Sequence, residues 1–575
     1  MRKKVLAVIL AAAMTLSLAA CGGAQSAPAT SASTDTAAAS TTEVASASAE
    51  TVEEVPAGPD ADGMQDGKFV ETRHISVEVY DRENDGETPV DNNVWTEWIK
   101  AQMLEKYNVE VEFIPVPRWT EVEQINNLLA AGTAPDVCYS YDYSTIQTYA
   151  NMGGVIDLNE PLAQYKDKLT NLWDWLGDEN IYYDQDPVNG TVWCVEGRRN
   201  NVYRINTFVR QDWLDTLGLA APTTTEEFHD MLVAFQENAD TLLGADAAKM
   251  VPFCVTSDVG WTAAPIIESF IDPDITDKEF YVNGYDDRKF TENGTKEAIR
   301  LLNKWYNEGL MWKDFAVSEA TSADDLCKAG FVGAFCHNYD YPFRNGVDSF
   351  NAVLKATYGD QAKFVAINCF DDKNGKYSHY AYSSAGDRKS FFPATNDEVL
   401  ASLLYLDFIS APETIEYLQK GEEGINHTVL DSGAIAIQAV SEDNHDYIQN
   451  SGNNIDYTMT CNGLRLATPE LTTQSLAYTY AEVDPADVVT AMQVAEQDAI
   501  APVSIFVGEI AAEAEGTDLT GKRDETFCKS IVCSEADFDA TWDNGMSEYL
   551  AAGGQAIMDE RAAAFAANYS SDNVQ

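Results

Sequence analysis

The segment Tyr203–Phe235, YRINTFVRQDWLDTLGLAAPTTTEEFHDMLVAF, carries the signals of one strand and two helices in a single run. It opens with alternating β-prone residues, and a short helix from Arg210 is expected to end at Gly218, the residue type that best tolerates a left-handed helix end. Thr224 and Glu227 fit a capping box, in which hydroxyl and carboxylate each satisfy a free backbone amide. The second helix places four apolar residues on one face: Phe228, Met231, Leu232 and Phe235.

The same segment resembles a signature of family 1 extracellular solute-binding proteins, the LplA-like lipoproteins that serve ABC importers of oligosaccharides. In that family a run of the form R-x-D-W-L-x-x-L-G-L-x-x-P-T-T-x-x-E-F/L follows the first hinge strand, and this chain carries it from Arg210. Other stretches also resemble family motifs: GTAPDV at Gly132–Val137, NGTVW at Asn189–Trp193 and KAGFVGAF at Lys328–Phe335.

The resemblance implies an α/β, two-lobed, periplasmic-binding-protein-like (type II) fold with hinge strands and a cleft between the lobes. A strand near Lys363–Asn368 is expected to cross back to the first lobe. The expected divisions are a lipoprotein signal peptide with a lipobox at 1–21, a disordered Ala/Ser/Thr/Glu tether at 22–67, a first lobe at 68–204 and about 363–435, and a second lobe at 207–360 and about 436–575.

Three strands are predicted in the first lobe, each separated from the next by a helical pattern. They are expected within His74–Tyr80, Glu110–Val116 and Pro135–Ser140. Strands that alternate with helices in this way form a parallel sheet covered on both faces. Ligands of such sheets bind beyond the carboxyl ends of the strands, so the loops that follow these strands are the candidate binding loops.

The candidate ligand residues of the first lobe come from these loops. Arg82 follows the first strand and Trp119 the second, whereas Tyr141 and Asp142 follow the third. In related binders, the loop after the third strand gives an aromatic ring and a carboxylate to sugar hydroxyls. The alternative for Arg82 is a solvated loop residue, and the alternative for Trp119 is a core residue at a helix start.

The candidate residues of the second lobe depend more on the resemblance. Tyr203 lies in the expected hinge, Trp261 follows a predicted strand, and Tyr339 and Asp340 lie where relatives have an aromatic ligand loop. Two neighbouring residues, Arg198 and Arg199, either bind a uronate carboxylate or pair within the protein. Three signature residues are interpreted as structural, with an ion pair and a packed ring at the helix start: Arg210, Asp212 and Trp213.

Charge and motif content exclude several other functions. The chain has 37 Lys and Arg against 93 Asp and Glu, a formal charge of −56, which argues against binding to nucleic acid. No zinc, Walker A, dinucleotide or nucleophile-elbow motif is present, and no cofactor is predicted. Many relatives carry a calcium loop after the long helix, but here Gln236–Phe253 lacks its alternating oxygen donors, so no metal is predicted. Cys528 and Cys533 are close enough in sequence to pair, which is left open.

The family resemblance implies the function of a solute-binding protein and not of an enzyme. We expect it to capture a carbohydrate, an oligosaccharide by family resemblance, and to deliver it to the permease subunits of an ABC transporter by hinge closure. A monomer is expected, anchored by lipid to the cell membrane on its extracytoplasmic side. The alternatives are a surface-anchored glycan-degrading enzyme that uses two cleft carboxylates and a sensory adaptor of the same fold.

The predicted anchor is Cys21. A basic start and the apolar run Val5–Ala20 are typical of a signal peptide, and Leu18-Ala19-Ala20-Cys21 resembles the bacterial lipobox, whose thiol takes a diacylglyceryl group before cleavage. The alternative is an ordinary signal peptide with a chance cysteine. The sequence that follows is too poor in large apolar residues to fold, so it would act as a tether.

Replacing Cys21 by Ser should release the protein from membranes and leave ligand binding unchanged, because only the tether would join anchor and binding domain. Fractionation after a high-salt wash, followed by a binding assay on the soluble fraction, measures both effects. Recovery of the variant in the membrane fraction would contradict the lipobox assignment.

Overall fold

The computed structural model describes residues 59–83, 87–186, 189–286, 288–318, 320–503, 505, 507–508, 510–515 and 519–574. The predicted signal peptide, Cys21 and most of the predicted tether lie outside these residues. Within them, no helix is both long and apolar enough to cross a membrane. The fold has two lobes, each built around its own β-sheet and its own buried core.

The signature segment folds as predicted. The strand Ile205–Arg210 leads into the helix Gln211–Leu217, and Gly218 ends that helix with a φ of 66°. The second helix, Thr225–Glu237, buries the four predicted apolar side chains. Its cap differs in one detail, because the Glu227 carboxylate accepts the amide of Thr223, at 2.9 Å, and not the amide of Thr224.

The structural role predicted for Arg210, Asp212 and Trp213 is confirmed. The Arg210 side chain is buried and donates to both carboxylate oxygens of Asp212, at 2.8 and 2.7 Å. Its guanidinium carbon lies 4.9 Å from the ring centroid of Trp213. The ion pair and the ring together fix the start of the helix against the strand.

The first sheet contains the predicted parallel pair. Arg73–Asp81 pairs in parallel with Val109–Pro117 over its whole length, and Val77 forms a parallel bridge with Val137. The strand Cys138–Ser140 then pairs antiparallel with Lys389–Phe391, a strand from much later in the chain. The remaining strand of this sheet is Val195–Glu196, which also pairs antiparallel with the strand Lys389–Phe391.

Seven helices of the described residues cover the first sheet and pack with it around two buried clusters, and the larger one, the first core, also includes Tyr457, Met459 and Cys461. The helix Val399–Ser410 buries nearly all of its side chains, because it is enclosed between the sheet and its neighbours. The others are Val94–Tyr107, Glu121–Ala131, Tyr143–Asn151, Asn159–Tyr165, Thr170–Ile181 and Pro412–Lys420.

The second sheet has four strands in the order Phe364–Ile367, Ile205–Arg210, Val332–Asn338, Val251–Cys254. Ile205–Arg210 pairs antiparallel with both of its neighbours, and the last two strands pair in parallel. Besides the two signature helices, its helices are Ala239–Leu243, Val259–Thr262, Ala264–Ser269, Asp277–Asn283, Thr295–Asn307, Ala320–Lys328, Phe350–Tyr358, Pro469–Leu476, Pro485–Glu496, Ala511–Glu515, Leu519–Val532, Phe538–Tyr549 and Gln555–Asn568.

Four short strand pairs account for the other strands of the described residues. They are Met64–Gln65 with Lys68–Phe69, His379–Tyr380 with Ala499–Ile500, His427–Val429 with Ile435–Ile437, and Arg198–Arg199 with Cys461–Asn462. The first of these pairs begins before residue 68, where the first lobe was expected to begin. Met64 and Phe69 are buried in the first core, so the fold starts inside the predicted tether.

Among the described residues, three segments lead between the lobes at the hinge, and we name them the first, second and third crossings: residues 197–204, 381–388 and 461–465. The second crossing comes later than predicted. Phe364–Ile367 does not cross but pairs with Ile205–Arg210 as an edge strand of the second sheet. Near the predicted boundary at 436 the chain already contacts the second lobe, since Ile435 is buried in one cluster with Phe208 and Phe364, and Tyr457 then packs into the first core before the third crossing.

All nine cysteines of the described residues are unpaired, Cys528 and Cys533 among them, so the disulfide left open by the sequence does not form here. Seven of the nine are buried. Burial raises the pKa of the thiols of Cys254, Cys336 and Cys461 to about 12. These thiols therefore behave as small apolar core groups at neutral pH.

The segment that corresponds to the relatives' calcium loop is helical. Residues Ala239–Leu243 form an α-helix and Gly244–Lys249 a 3-10 helix, after which the strand Val251–Cys254 begins. Leu242 and Leu243 stand in the run that follows Asp240, and both pack against the second core. A loop that wraps around a cation with alternating oxygens does not occur in this segment.

Adding a chelator should leave the melting temperature unchanged, because this segment lacks the six or more oxygen ligands that Ca²⁺ takes. Thermal unfolding with EDTA, and then with excess Ca²⁺, tests the prediction. A fall in the melting temperature with EDTA that Ca²⁺ reverses would show that the chain binds calcium after all.

Candidate ligand-binding site

A pocket of about 810 Å³ lies at the carboxyl ends of the first-lobe strands. One of the side chains that line it is a large aromatic residue open to solvent, Trp119, which is 68% exposed. The exposure excludes the alternative that Trp119 is a core residue. Three predicted residues line the pocket together with seven that were not singled out: Trp119, Tyr141 and Asp142, and Arg118, Thr120, Glu121, Val122, Glu123, Asn126 and Asn127.

Arg118 organises the aromatic side chains of this pocket. Its guanidinium carbon lies 4.1 Å from the ring centroid of Tyr141 and 5.5 Å from that of Trp119. The ring of Tyr141 is stacked on Tyr80, with centroids 6.1 Å apart. Arg118 pairs with Glu121 at 3.0 Å, and the same carboxylate accepts the amide of Tyr141. Sequence reasoning pointed to this loop but chose only Trp119 from it.

Asp142 lines the pocket, but its carboxylate already has a structural task. It caps the helix Tyr143–Asn151 and accepts hydrogen bonds from the amides of Ser144 and Thr145, at 3.1 and 3.2 Å. The hydroxyls of the same two residues donate to it as well. The geometry therefore favours a capping role over the sugar-binding role predicted for this carboxylate.

Arg82 is not the solvated loop residue that the sequence left as an alternative. Its Nε and Nη2 donate to the two carboxylate oxygens of Asp456, at 2.6 and 2.8 Å. The indole nitrogen of Trp119 donates to the carbonyl oxygen of Arg82, at 3.3 Å. The three predicted residues Arg82, Trp119 and Tyr141 thus form one group with Arg118, which we name the first-lobe group.

Tyr339 and Asp340 differ from the prediction. Tyr339 is only 3% exposed, and its hydroxyl accepts a hydrogen bond from Asn201 at 2.7 Å. Burial raises the pKa of this phenol. Asp340 accepts from Arg344 and from the hydroxyl of Tyr480, both at 2.7 Å. These two residues are packed side chains of the second lobe and do not form an open aromatic loop.

Tyr203 and Trp261 are both half-buried. The ring centroid of Tyr203 lies 5.1 Å from that of Tyr339, so Tyr203 covers the buried tyrosine. Trp261 lies between two guanidinium groups, those of Arg204 at 4.9 Å and Arg288 at 4.8 Å. Both residues thus keep one part packed and one part exposed, which suits a residue at the edge of a cleft.

Tyr382, in the second crossing, was missed by the sequence reasoning. It is half-buried, lies 6.4 Å from Trp261 between ring centroids, and has the guanidinium carbon of Arg199 4.0 Å from its own centroid. No signal placed it at the hinge, because the second crossing was expected before residue 381. We name Arg199, Tyr203, Trp261 and Tyr382 the hinge group.

The carboxylate of Asp387, on the second crossing, joins all three crossings. It accepts from Arg199 of the first crossing at 2.7 Å and from Asn462 of the third at 3.1 Å. The adjacent Arg388 donates to its other oxygen at 3.1 Å. Burial alone would raise the pKa of Asp387, but Arg199 and Arg388 hold this pKa below its usual 3.8.

The same stretch of chain links the two groups. Lys389 follows directly after the second crossing, and its Nζ lies 3.4 Å from the carbonyl oxygen of Tyr141. It also donates to the carbonyl oxygen of Asp387 at 3.2 Å. The first-lobe group is therefore anchored to the strand that leaves the hinge.

The described residues contain one group of metal-ligating types with converging ligand atoms, namely Asp184, Cys194 and Glu196. All three are buried, and their ligand atoms lie within 4.8 Å of one another. The ammonium of Lys389 lies 3.4 Å from Glu196 and supplies a positive charge at this position. The charge balance of the group is met by a side chain, so it gives no reason to invoke a cation.

In sequence, the chain is similar to lipoprotein LipO of Bacillus subtilis, with 25% identity over 346 residues. It is also similar to the polygalacturonan/rhamnogalacturonan-binding protein YtcQ of the same organism, with 24% identity over 328 residues. These alignments cover 57% and 56% of this chain and 64% and 61% of the relatives, so the chain spans less than two thirds of the length of the curated relatives it matches. No family model matches the chain.

Solved structures show the same fold. An alginate-binding protein, crystallised without calcium ion, has a TM-score of 0.62 at 16% identity and covers 87% of this chain and 99% of its own. An extracellular solute-binding protein from Bifidobacterium longum subsp. infantis has a TM-score of 0.57 at 17% identity, covering 86% and 98%. An ABC-transporter substrate-binding protein of S. pneumoniae in complex with kestose has a TM-score of 0.57 at 14% identity, covering 86% and 100%.

At these identities the likeness to solved structures shows the fold alone. The fold is the two-lobed, mixed helix-and-sheet fold of solute-binding proteins, as the sequence predicted. The sequence relatives and the structural neighbours together support the resemblance to family 1 extracellular solute-binding proteins.

Replacing Asp387 by Asn should lower the free energy of unfolding at neutral pH by about 3–5 kcal/mol, because a buried guanidinium loses its counter-charge. Since the folded-state pKa lies below the unfolded one, the carboxylate stabilises the fold above pH 3.8, and this stabilisation is lost as the pH falls through the folded-state pKa. Urea unfolding of wild type and variant, repeated from neutral pH down to acid, measures the difference in their free energies of unfolding. This difference should become smaller in acid.

Asp539→Asn is the matched control. Like Asp387, Asp539 pairs with an arginine, in this case Arg300, but its side chain is largely exposed. Exposed ion pairs contribute little, so this variant should unfold close to wild type. An Asp387→Asn protein as stable as the Asp539→Asn control would contradict the role of Asp387 in joining the crossings.

Proposed function

We propose that this protein is an extracytoplasmic solute-binding protein that captures a carbohydrate between its lobes. The observation that carries the proposal is the exposed indole of Trp119 beside Tyr141 and Arg118, in a pocket beyond the strand ends of the first lobe. The C–H faces of a sugar pack on aromatic rings, while guanidinium and amide groups donate to its hydroxyls.

The relatives support a sugar as the solute. One sequence relative is named for binding polygalacturonan and rhamnogalacturonan, and structural neighbours are titled for binding alginate and kestose. The carboxylates of the first-lobe pocket favour binding over glycoside hydrolysis. Of the three carboxylates that line it, Glu121 and Asp142 are committed to an ion pair and a helix cap, and Glu123 is exposed, whereas hydrolysis needs a pair of available carboxyl groups.

The mechanism that we propose is hinge closure. The three crossings are short and joined by Asp387, so the lobes can rotate about a compact hinge without separating. A ligand that contacts both the first-lobe group and the hinge group favours the closed arrangement, because only that arrangement offers both sets of contacts.

We further propose that a monomer delivers its ligand to the permease subunits of an ABC transporter. It would act at the outer face of the cell membrane, held there by lipid on Cys21. The similarity to lipoprotein LipO and to ABC-transporter binding proteins supports this arrangement.

Trp119→Ala should weaken carbohydrate binding by roughly 5- to 150-fold, the equivalent of about 1–3 kcal/mol for a lost aromatic platform. The melting temperature should change little, because most of the side chain is exposed in the free protein. Isothermal titration against a glycan panel, with a thermal melt of each variant, provides both values.

Trp119→Phe should retain much of the affinity, since it keeps a ring at the position. Tyr358→Ala is the control for loss of an exposed aromatic side chain, because Tyr358 is 51% exposed on a second-lobe helix outside the site. If Trp119→Ala binds every glycan like wild type, the site is not at the first-lobe group, and Trp261 with Tyr382 is the next pair to test.

A further inference from the structure

Three arginines of the candidate site share one arrangement, in which the guanidinium packs on an aromatic ring and pairs with a carboxylate. They are Arg82, Arg118 and Arg199, which we name the cleft arginines. Their guanidinium carbons lie 6.0, 4.1 and 4.0 Å from the nearest ring centroids of this site. The rings are, in the same order, those of Trp119, Tyr141 and Tyr382.

Within each pair, the arginine is half-buried and the carboxylate is more deeply buried. The side chains of Arg82, Arg118 and Arg199 are 18%, 20% and 18% exposed. Those of their partners are 3%, 6% and 1% exposed: Asp456, Glu121 and Asp387. A ligand at this site would therefore meet these guanidinium groups and ring faces, while the carboxylates that pair with the three arginines lie behind them. Two other carboxylates of the site remain more exposed, those of Glu123 in the pocket and of Asp258 beside Arg288.

This arrangement orients N–H donors toward a ligand. A guanidinium has more donors than one carboxylate accepts, so a buried partner on one side fixes the group and leaves its other side able to bind. The planar fork of the guanidinium matches a carboxylate through two parallel hydrogen bonds. Because the buried partner already holds the guanidinium in place, the arginine side chain loses less conformational entropy when a ligand binds.

An arginine elsewhere on the second lobe shows that the arrangement is not general. Arg300 also packs on a ring, that of Phe538, at 4.4 Å. Its two carboxylate partners, Glu297 and Asp539, are 57% and 65% exposed, so here the negative charge faces solvent. The chain as a whole has a formal charge of −56, yet at the candidate site three carboxylates are covered by arginine.

The large negative charge does not prevent an anion from binding here. Exposed charges are screened over about 8 Å at physiological ionic strength, so the groups in direct contact decide the interaction. At the first-lobe group and the hinge group those nearest groups include the cleft arginines.

We propose that the ligand is an acidic oligosaccharide, whose uronate carboxylates bind the cleft arginines while its sugar rings pack on Trp119 and the neighbouring tyrosines. Arg118 is the central residue of this recognition, because it lies between two rings of the pocket. The inference rests on the proposed carbohydrate binding and adds the charge of the ligand to it.

The experiment compares each acidic ligand with its own neutral form. Oligogalacturonate and oligomannuronate are titrated by calorimetry, each beside its fully methyl-esterified form, which keeps the backbone and removes the charge. We expect at least one of the two acids to bind about tenfold or more tightly than its ester, as charge-assisted hydrogen bonds require. Its affinity should fall with added salt, and that of the ester should not.

Variants then assign the preference to the cleft arginines. Arg118→Gln should lose most of the preference for the acid over the ester. Because it leaves Glu121 unpaired, the double variant Arg118→Gln/Glu121→Gln is measured beside it and should lose the preference without an unbalanced charge. Arg118→Lys keeps the charge but not the fork and should fall between wild type and Arg118→Gln. Arg300→Gln is the matched control and should bind like wild type.

The outcomes separate this inference from the proposed function. If neutral glycans bind and no uronate binds better than its ester, the ligand is not acidic and only the inference is overturned. The same holds if a folded Arg118→Gln/Glu121→Gln protein, judged by its thermal melt, keeps the full preference for the acid. If no glycan of either kind binds, the proposed carbohydrate binding fails and the inference with it.

Discussion

One buried carboxylate, that of Asp387, holds the three crossings together, and the geometry of the whole site depends on it. A buried charge is costly unless it is paired, and here a guanidinium from the first crossing and an amide from the third satisfy it. The next residues along the chain, Arg388 and Lys389, extend the same network into the first lobe. The strand that carries them pairs with the strand before Tyr141, so hinge and pocket belong to one hydrogen-bonded unit.

The fold was predictable wherever the signals are local. The segment Tyr203–Phe235 contains its own strand, helix end and cap, and these form as expected except that Glu227 accepts the amide of Thr223 and not that of Thr224. The crossings were not predictable in the same way. Phe364–Ile367 has the pattern of any buried strand, and only its pairing with Ile205–Arg210 shows that it is an edge strand and not a crossing. Which sheet a strand joins is decided by contacts that lie far apart in sequence.

The same contrast between local signals and distant contacts applies to the candidate site. The strand-end rule found Trp119 and Tyr141, because the carboxyl ends of parallel strands meet at one edge of a sheet. Tyr339 was expected in an aromatic ligand loop but is buried, because it is surrounded by neighbours from several distant segments. The ion pair between Arg82 and Asp456 joins residues 374 positions apart, and no sequence pattern announces it. Thus the sequence indicated which candidate residues lie at the strand ends, whereas it did not indicate their electrostatic partners.

The free, buried thiols make the opening of each lobe measurable, through the rate at which its cysteines are labelled. Cys138 and Cys194 lie in the first lobe, and Cys254, Cys327, Cys336 and Cys369 in the second. A thiol reagent reaches such a group only when the surrounding structure opens, so its labelling rate reports the opening of that lobe alone. Because the folded protein holds no disulfide among these cysteines, the rates reflect packing and not redox state. Mass spectrometry of the labelled peptides would then show which lobe a bound ligand protects.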